Sequence, residues 1–230
     1  MKKNKILVVL TNQSTYGDNP EKTGLWLNEA TDFVREVQKH GYTVDYVSPK
    51  GGEVPIDPQS LKDEFFSPET KAMLESDDFK DRALTNSLKP GDISPDDYDA
   101  IYYTGGHGVV WDFPDNKELQ NIAINIFEDG GYVTSVCHGV AGLLNIKDKS
   151  GKNLIDGKKI TGFTQKEEEL IGKDKVVPFG TENESIKRGA DFKKADPFTC
   201  FAVKDGQLIT GQNTVSGGRV AELLIESLEK

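Results

Sequence analysis

Short apolar runs alternate with longer amphipathic segments along most of this chain. Lys5–Leu10 (KILVVL) is a continuous apolar run, which is typical of a strand covered on both faces. Leu25–His40 has apolar residues at helical spacing and stops at Gly41, a residue type that commonly ends helices. Tyr42–Val47 (YTVDYV) is then the next strand. The alternation predicts an α/β fold in which helices cover both sides of a mainly parallel sheet.

The same pattern continues towards the C-terminus. Asp99–Gly108 is a strand that runs into a glycine-rich turn, and 132–136 (YVTSV) is a strand that leads into an abrupt corner. The other predicted elements are helices at 115–131, 138–146 and 216–230 and strands at 158–164 and 207–213. The 230 residues suit a single domain, 1–230, with a Pro-, Gly- and acid-rich insertion at about 49–95.

Composition excludes two classes of partner. The net charge is −10 and the sequence pI is about 4.9, whereas proteins that bind nucleic acid present a concentrated basic surface. No apolar run approaches the roughly 20 residues that span a bilayer, and the N-terminal run ILVVL is too short for a secretory signal. We therefore expect a cytoplasmic protein with no nucleic-acid or membrane partner. Its two cysteines, Cys137 and Cys200, are expected as free thiols, with Cys200 packed in the core.

The corner after the strand YVTSV places Cys137 directly before His138 and Gly139. A strand-to-helix corner exposes a nucleophile at the edge of a sheet, and a small neighbour lets the substrate approach. The start of the next helix favours a thiolate, so we expect an accessible Cys137 with a lowered pKa. Backbone N–H groups of His138 and of the turn GGHG are candidate oxyanion donors. The alternative is a structural buried cysteine beside a solvent-facing histidine.

The acid–base partner of this thiol is restricted by the positions of the three histidines. No histidine follows His138, which excludes a triad in which the cysteine is followed by a distant C-terminal histidine, as in glutamine amidotransferases. His40 lies in the last turn of the first helix, where histidine often only complements the helix dipole. His107 lies in TGGHG, whose glycines indicate close approach of backbone to a ligand; a turn histidine without chemistry is the alternative.

Glu29 is a less obvious candidate on the first predicted helix. At helical spacing it projects between Leu25 and Phe33, with Trp26 nearby. A carboxyl on this apolar flank would be partly desolvated and biased towards its protonated form, in which it can hydrogen-bond a thiolate. Periodicity alone is weak support because Glu36 points in a similar direction two turns later, and a solvated helix face is the alternative.

Several blocks of sequence resemble the ThiJ/PfpI superfamily of class I glutamine amidotransferase-like proteins, and within it the glyoxalase III and heat-shock chaperone branch. They occur in the expected order and cover nearly the whole chain. The blocks are TGLWLNEA around Glu29, TGGHGVVWDFP at 104–114, SVCHGVAGLL at 135–144, LIDGKKITGFTQKEEE at 154–169, VPFGTE at 177–182, KRGADF at 187–192 and DGQLITGQN at 205–213.

The resemblance implies a flavodoxin-like three-layer α/β/α sandwich that forms homodimers. It implies that Cys137 is the nucleophile, that His138 is the adjacent acid–base residue and that Glu29 touches the thiol. Gly106 matches the position whose backbone amide helps to line the oxyanion pocket, and His107 beside it is the second candidate for binding substrate. No organic cofactor is implied, and the sequence shows no convincing metal-ligand constellation.

Two departures from the family pattern concern the surroundings of the site. Thr214 stands where proline usually follows GQN, which predicts a looser turn near the pocket. Gly180–Thr181 stands where two bulky apolar residues are common, which predicts a changed lid or partner contact.

The function expected from these residues is conversion of a small dicarbonyl such as methylglyoxal to D-lactate without glutathione, through a cysteine hemithioacetal. Hydrolysis of peptides or removal of early glycation adducts by the same thiol is a second enzymatic alternative. A stress-linked holdase chaperone or a redox sensor is the non-enzymatic alternative, since an exposed thiol of low pKa oxidises readily.

Overall fold

A computed structural model describes residues 3–230, and the first two residues of the predicted domain, Met1 and Lys2, lie outside the described residues. The strands are β1 Lys5–Val9, β2 Thr15–Tyr16, β3 Asn19–Lys22, β4 Thr43–Val47, β5 Ala100–Tyr103, β6 Tyr132–Val136, β7 Lys159–Ile160, β8 Asp191–Phe192, β9 Ala202–Asp205 and β10 Leu208–Gly211. The α-helices are α1 Leu27–Lys39, α2 Pro68–Glu75, α3 Val109–Asp112, α4 Lys117–Glu128, α5 Gln165–Leu170, α6 Thr181–Lys187 and α7 Gly217–Leu228.

Among residues 3–230, six strands form a central sheet in the order β4-β1-β5-β6-β10-β9. The first five run parallel, and β9 pairs antiparallel with β10 at the edge. Side chains of β1 alternate between the two faces, so that Ile6 and Val8 join one core while Leu7 and Val9 join the other. Both cores are fully buried, as expected for a parallel sheet covered on both sides.

Helices cover both faces of the sheet. Phe33 of α1 and Leu224 of α7 pack in the core that contains Ile6. Ile122 and Ile126 of α4 pack in the opposite core with Leu7. The predicted three-layer α/β/α sandwich with a mainly parallel sheet is therefore confirmed.

The turn after β5 and the corner after β6 lie side by side. Tyr103 pairs in parallel with Ser135, so both strands end at the same level of the sheet. The polypeptide then continues as Gly105–Gly108 on one strand and as Cys137 on the other. Ligands of parallel sheets bind beyond the carboxyl ends of strands, and this is where the candidate residues meet.

Residues 49–95 form a run of short elements next to β4 and α1. It contains 3₁₀ turns at Pro58–Leu61 and Pro90–Asp92, the helix α2 and a π-helical turn at Phe79–Thr85, and a further 3₁₀ turn at Pro95–Asp97 follows it. Phe65 of this segment packs edge-on against Trp26, with ring centroids 5.0 Å apart. Within residues 3–230, none of the helices is both long and apolar enough to cross a membrane.

Three predicted features differ from the structure. The predicted helix 138–146 is a 3₁₀ turn over Cys137–Leu143, in a segment whose glycines weaken α-helix propensity. The predicted strand 158–164 is reduced to β7, which pairs with β8 outside the central sheet. Cys200 is exposed rather than packed in the core because it lies in the loop before β9, although both cysteines are free thiols as predicted.

Candidate active site

Cys137 lies at the base of a cavity of about 280 Å³ at the carboxyl ends of β5 and β6. Its φ is 56°, a strained conformation for a residue with a side chain and one that persists only where surrounding structure holds it. The side chain is only 2% exposed, so the sulfur is reached through the cavity and not from open solvent. The backbone N–H of His138 donates a hydrogen bond to the sulfur.

Gly139 is what allows the corner to sit against the end of β5. A Cβ added there would lie 2.6 Å from the carbonyl oxygen of Thr104, closer than any real contact of this kind. Any larger residue would push the short turn away from β5 and carry Cys137 and His138 with it. The motif CHG therefore has a packing reason as well as a chemical one.

His138 is buried between the thiol and a carboxylate. Its Nδ1 is 3.4 Å from Sγ of Cys137, and its Nε2 is 2.6 Å from Oε2 of Glu168. The ring of Phe163 lies against the imidazole, with centroids 4.4 Å apart. The carboxylate and the phenyl ring together fix the orientation in which Nδ1 faces the sulfur.

Glu29 lies in the first turn of α1 and is fully buried. Its Oε2 accepts a hydrogen bond of 2.7 Å from the backbone N–H of Gly105. Its Oε1 has no hydrogen-bond partner within residues 3–230, and the carboxyl faces the thiol of Cys137. Burial, as the main cause, raises the pKa of Glu29 to about 8. The carboxyl is therefore protonated at neutral pH and can donate to the sulfur, as expected from the sequence.

The lowered thiol pKa expected from the sequence is wrong for this site. Burial, as the main cause, raises the pKa of the Cys137 thiol well above its ordinary value. The hydrogen bond from the backbone N–H of His138 acts in the opposite direction but is outweighed. The resting sulfur is thus a thiol that needs a base at the moment of reaction, and His138 is the base in contact with it.

His107 and Gly106 also line the cavity, in the turn after β5. His107 donates or accepts through both ring nitrogens: Nε2 is 2.8 Å from Oε1 of Glu168, and Nδ1 is 3.1 Å from the hydroxyl of Tyr16. Burial and then the nearby His138 lower the pKa of His107 to about 4, so its ring is neutral at physiological pH. Gly106 has a φ of +99°, and within residues 3–230 no group accepts a hydrogen bond from its backbone N–H.

The structure thus brings Cys137, His138, Glu29, Gly106 and His107 together. His40 lies elsewhere, at the exposed end of α1. Thr214 lines the cavity, as its position after GQN suggested. Gly180–Thr181 does not line the cavity and marks the start of α6, where the hydroxyl of Thr181 donates a hydrogen bond of 2.7 Å to the carbonyl of Phe163.

Sequence reasoning missed Glu168, whose carboxylate joins both histidines. Glu168 lies in α5 within the run Glu167–Glu169, in which two residues are buried and Glu169 is exposed. The sequence T-Q-K-E at 164–167 is a capping-box pattern that places this helix start, but nothing distinguishes Glu168 from its exposed neighbour. Burial alone would raise the pKa of Glu168, but the two imidazoles hold it well below its ordinary value.

Three side chains here also form a cluster of metal-ligand type, which the sequence did not suggest. One ligand atom each of His107, His138 and Glu168 lies within 4.8 Å of the others. In this arrangement the carboxylate already satisfies one nitrogen of each imidazole by a hydrogen bond. The buried polar groups are therefore paired without an ion.

The remaining walls of the cavity are apolar. Trp26 and Phe65 form one side, and Phe163, Phe198 and Ile171 form the other. Water is poorly held by such a surface, which strengthens electrostatic interactions at the sulfur and disfavours charged ligands.

Known proteins resemble this chain over nearly its whole length, including the residues of the site. The DJ-1/PfpI family profile matches residues 24–227. Glyoxalase 3 of Candida albicans is 35% identical over 234 residues, covering 98% of this chain and 98% of that protein. The glutathione-independent glyoxalase HSP31 of Saccharomyces cerevisiae is 34% identical over 235 residues, again covering 98% of each. The solved structure of the 24 kDa Rapid Encystment Protein (REP24) of Francisella tularensis superposes with a TM-score of 0.94 at 37% identity and covers 99% of both chains.

Proposed function

The chain belongs to the DJ-1/PfpI family, and from this premise we propose that it is a glutathione-independent glyoxalase that converts methylglyoxal to D-lactate. The observation that carries the proposal is the line from Cys137 Sγ through His138 to Glu168 at the base of a small apolar cavity. Two relatives that match over nearly their full length are named glyoxalases.

The first step is addition of the thiol to the aldehyde. An ionised carboxylate only accepts hydrogen bonds, so Glu168 requires the proton of His138 on Nε2 and leaves Nδ1 free to accept. As the sulfur attacks C1, the S–C bond forms, the S–H proton passes to Nδ1 and the carbonyl oxygen becomes an oxyanion. The backbone N–H of Gly106 is the proposed donor to this oxyanion, which is then protonated to give a hemithioacetal.

The second step moves hydrogen from C1 to C2. His138 takes the C1–H proton and passes it to the C2 oxygen, and the electron pair of the C1–H bond forms the C1=C2 double bond of an enediol. The C1 hydroxyl then loses its proton as C2 is protonated. This oxidises C1 to a thioester and reduces C2 to an alcohol, so no external oxidant or reductant is needed. Glu29, protonated and in contact with the sulfur, remains a donor throughout.

Water then cleaves the thioester. Its oxygen adds to C1, the C–S bond breaks and the sulfur regains a proton, so that one methylglyoxal and one water yield one lactate. His138 is the base for this water. The chain's own residues thus supply every group the sequence of steps requires.

The geometry of the site favours a small substrate over the alternatives. A cysteine that is only 2% exposed, in a cavity of about 280 Å³, does not meet an extended peptide or a side chain on a folded protein. A raised thiol pKa also disfavours a redox sensor, because the thiolate is the form that oxidises. Peptidase, deglycase and redox-sensor functions are for these reasons less well supported.

The proposal is tested by assaying methylglyoxal consumption and lactate formation without glutathione and with a chelator present. Cys137→Ser should lose activity by about 100-fold or more, because the hydroxyl is a far poorer nucleophile here. Cys200→Ser is the matched control, since it removes the exposed thiol. A Cys137→Ser protein that keeps wild-type turnover would overturn the mechanism.

Three further proposals concern the molecule beyond the site. We keep a homodimer, a cytoplasmic location and a single domain with an insertion at about 49–95 as proposals. Light scattering on the purified chain separates the dimer from a monomer. A holdase function would instead appear as protection of an aggregating client that survives Cys137→Ser.

A further inference from the structure

We propose that Tyr16 and His107 are positioning residues that act through Glu168 to set which ring nitrogen of His138 faces the thiol of Cys137. The inference rests on the glyoxalase chemistry proposed above. It gives His107 a different role from the substrate contact expected from the sequence.

A continuous line of hydrogen bonds runs from Tyr16 to Cys137. The hydroxyl of Tyr16 is 3.1 Å from Nδ1 of His107, and Nε2 of His107 is 2.8 Å from Oε1 of Glu168. The other carboxylate oxygen is 2.6 Å from Nε2 of His138, whose Nδ1 is 3.4 Å from Sγ of Cys137. All five side chains are buried.

The directions of these bonds follow from which groups can donate. Glu168 is a carboxylate and only accepts, so each imidazole must present an N–H at Nε2. His107 is neutral because burial lowers its pKa to about 4, and it therefore carries no second proton. Its Nδ1 must accept, and the hydroxyl of Tyr16 is the donor that faces it. Burial also keeps that hydroxyl protonated by raising the pKa of Tyr16.

The opposite tautomer of His107 is excluded by Glu168, and the hydroxyl of Tyr16 holds the ring in the orientation that keeps Nε2–H on the carboxylate. A proton on Nδ1 would leave a lone pair at Nε2 facing a carboxylate oxygen 2.8 Å away, and the two would repel. Glu168 would then be held by His138 alone and would be free to rotate. His138 would lose the fixed partner that keeps its bare nitrogen towards the sulfur.

The same bonds argue against a direct contact of His107 with substrate. Both of its ring nitrogens already have partners within the protein, so a substrate would have to displace Tyr16 or Glu168 to reach one. Its ring does line the cavity and lies 4.2 Å from the ring of His138. The ring of His107 therefore forms part of the cavity wall, and its effect on the reaction passes through Glu168.

The charged groups near Tyr16, at the outer end of the line of hydrogen bonds, each have a partner. The ammonium of Lys173 lies over the ring of Tyr16, 4.5 Å from its centroid, and pairs with Glu21 at 2.5 Å. Asp57 accepts a hydrogen bond of 2.9 Å from Thr23 and is the other nearby carboxylate. At the inner end, Cys137 is faced by Glu29 and by the buried Glu167, and Glu168 is faced by the two histidines.

The first test compares His107→Leu with His107→Gln in steady-state kinetics. Leucine removes the donor to Glu168, and we expect kcat to fall about tenfold or more while KM changes by less than about twofold, because a misplaced catalytic group costs rate rather than binding. The amide of glutamine can donate to the carboxylate, so His107→Gln should recover most of the rate. A raised KM with unchanged kcat in both variants would instead establish His107 as a substrate contact and overturn the proposal.

The second test is Tyr16→Phe, with Tyr98→Phe as the matched control. Tyr98 donates to Asp45 away from the site, so its loss removes a buried phenol hydroxyl without touching the line. We expect a lower kcat in Tyr16→Phe alone. We also expect its KM to change by less than about twofold, because Tyr16 contacts His107 and does not line the cavity. A raised KM with unchanged kcat in Tyr16→Phe, or an equal loss in both variants, would contradict the proposal.

A substrate-independent readout separates this inference from the proposed function. In a Cys200→Ser background the rate of alkylation of Cys137 by iodoacetamide reports how well His138 takes the thiol proton. His107→Leu should slow it and His107→Gln should restore it, even if methylglyoxal is not turned over. Equal alkylation rates in wild type, His107→Leu and Tyr16→Phe, with circular dichroism showing all three folded, would refute the positioning role.

Discussion

Glu29 and Glu36 lie two turns apart on the same helix and meet opposite environments. Glu29 is fully buried beside Cys137 and Gly105, whereas Glu36 is partly exposed and pairs with Lys39. Helical periodicity predicted a common direction for both, and it could not tell which one the sheet would cover. The deciding contact is the turn after β5, which reaches Glu29 from 76 residues away in the chain.

The raised pKa of Glu29 predicts a pH-dependent cost to folding. The unfolded carboxyl ionises near its ordinary pKa of 4.5, whereas the folded one keeps its proton until about pH 8. Folded protein therefore binds more protons within this window, and its stability falls as pH rises through it. The side chain of Glu29→Gln cannot ionise. The free energy of unfolding of this variant, relative to that of wild type, should therefore increase by about 1 kcal/mol for each pH unit inside the window.

Urea unfolding of both proteins at several pH values measures this difference. Below the window the two should differ by a constant amount, and above it the gain should level off. A difference that does not vary with pH would mean that Glu29 titrates as an ordinary surface carboxylate. Glu36→Gln is the matched control, on the same helix but paired with Lys39 at the surface.

At the level of single residues, sequence reasoning reached Cys137, His138 and Glu29 but gave the thiol the wrong ionisation. It considered the helix start and the local N–H groups, which lower a thiol pKa. Burial by chain segments distant in sequence dominates instead. Sequence reasoning missed Glu168 for the same reason, because only the folded chain brings its two carboxylate oxygens against two histidines.

At the level of elements, the site is formed by two tight loops that pack against each other at the ends of neighbouring strands. The turn Gly105–Gly108 follows β5, and the corner at Cys137 follows β6, its parallel neighbour. Sequence patterns predicted both strands and both connections, because apolar runs ending in glycine mark them clearly. They did not predict the 3₁₀ turn after Cys137, because its shape follows from packing of Gly139 against the end of β5.

Gly105→Ala tests how closely these connections are fitted. The added Cβ would lie 2.9 Å from the Cβ of Cys137 and overlap Oε2 of Glu29. We expect a loss of about 1–3 kcal/mol in the free energy of unfolding, as for other overpacked sites. We also expect kcat/KM to fall about tenfold or more, because the amide of Gly105 would move off Glu29. Thermal unfolding and methylglyoxal kinetics measure the two effects.

The matched control for this substitution is Gly218→Ala in α7. No heavy atom lies within 4 Å of a Cβ added at Gly218, and alanine favours a helix by about 0.5–1 kcal/mol over glycine. This variant should keep full activity and equal or higher stability. Comparable losses in both variants would show that the turn at Gly105 has room to adjust.

The whole molecule is acidic, with a net charge of −10, yet its candidate substrate is neutral. Long-range charge steers only charged ligands, so kcat/KM for methylglyoxal should change by less than about twofold when salt is raised well above about 0.1 M. Glyoxylate, an anionic aldehyde, is the contrasting ligand. Its inhibition should strengthen with salt as repulsion by the protein is screened.

At this scale the sequence predicted the class of fold well and the burial of the loops poorly. Alternating apolar runs and amphipathic helices are local signals, and the confirmed sandwich follows from them. Whether a loop such as the one that carries Cys200 faces solvent or core depends on which strand edge it crosses, and no local pattern encodes that.

The different settings of the two thiols have a practical consequence. Cys200 is open to solvent, while Cys137 is reached only through the cavity. A bulky maleimide dye will therefore attach at Cys200 and leave the inner sulfur unlabelled, with no substitution needed. Phe198, two positions earlier in the same loop, forms part of the cavity wall. The emission of a fluorophore at Cys200 should therefore change when a ligand fills the cavity.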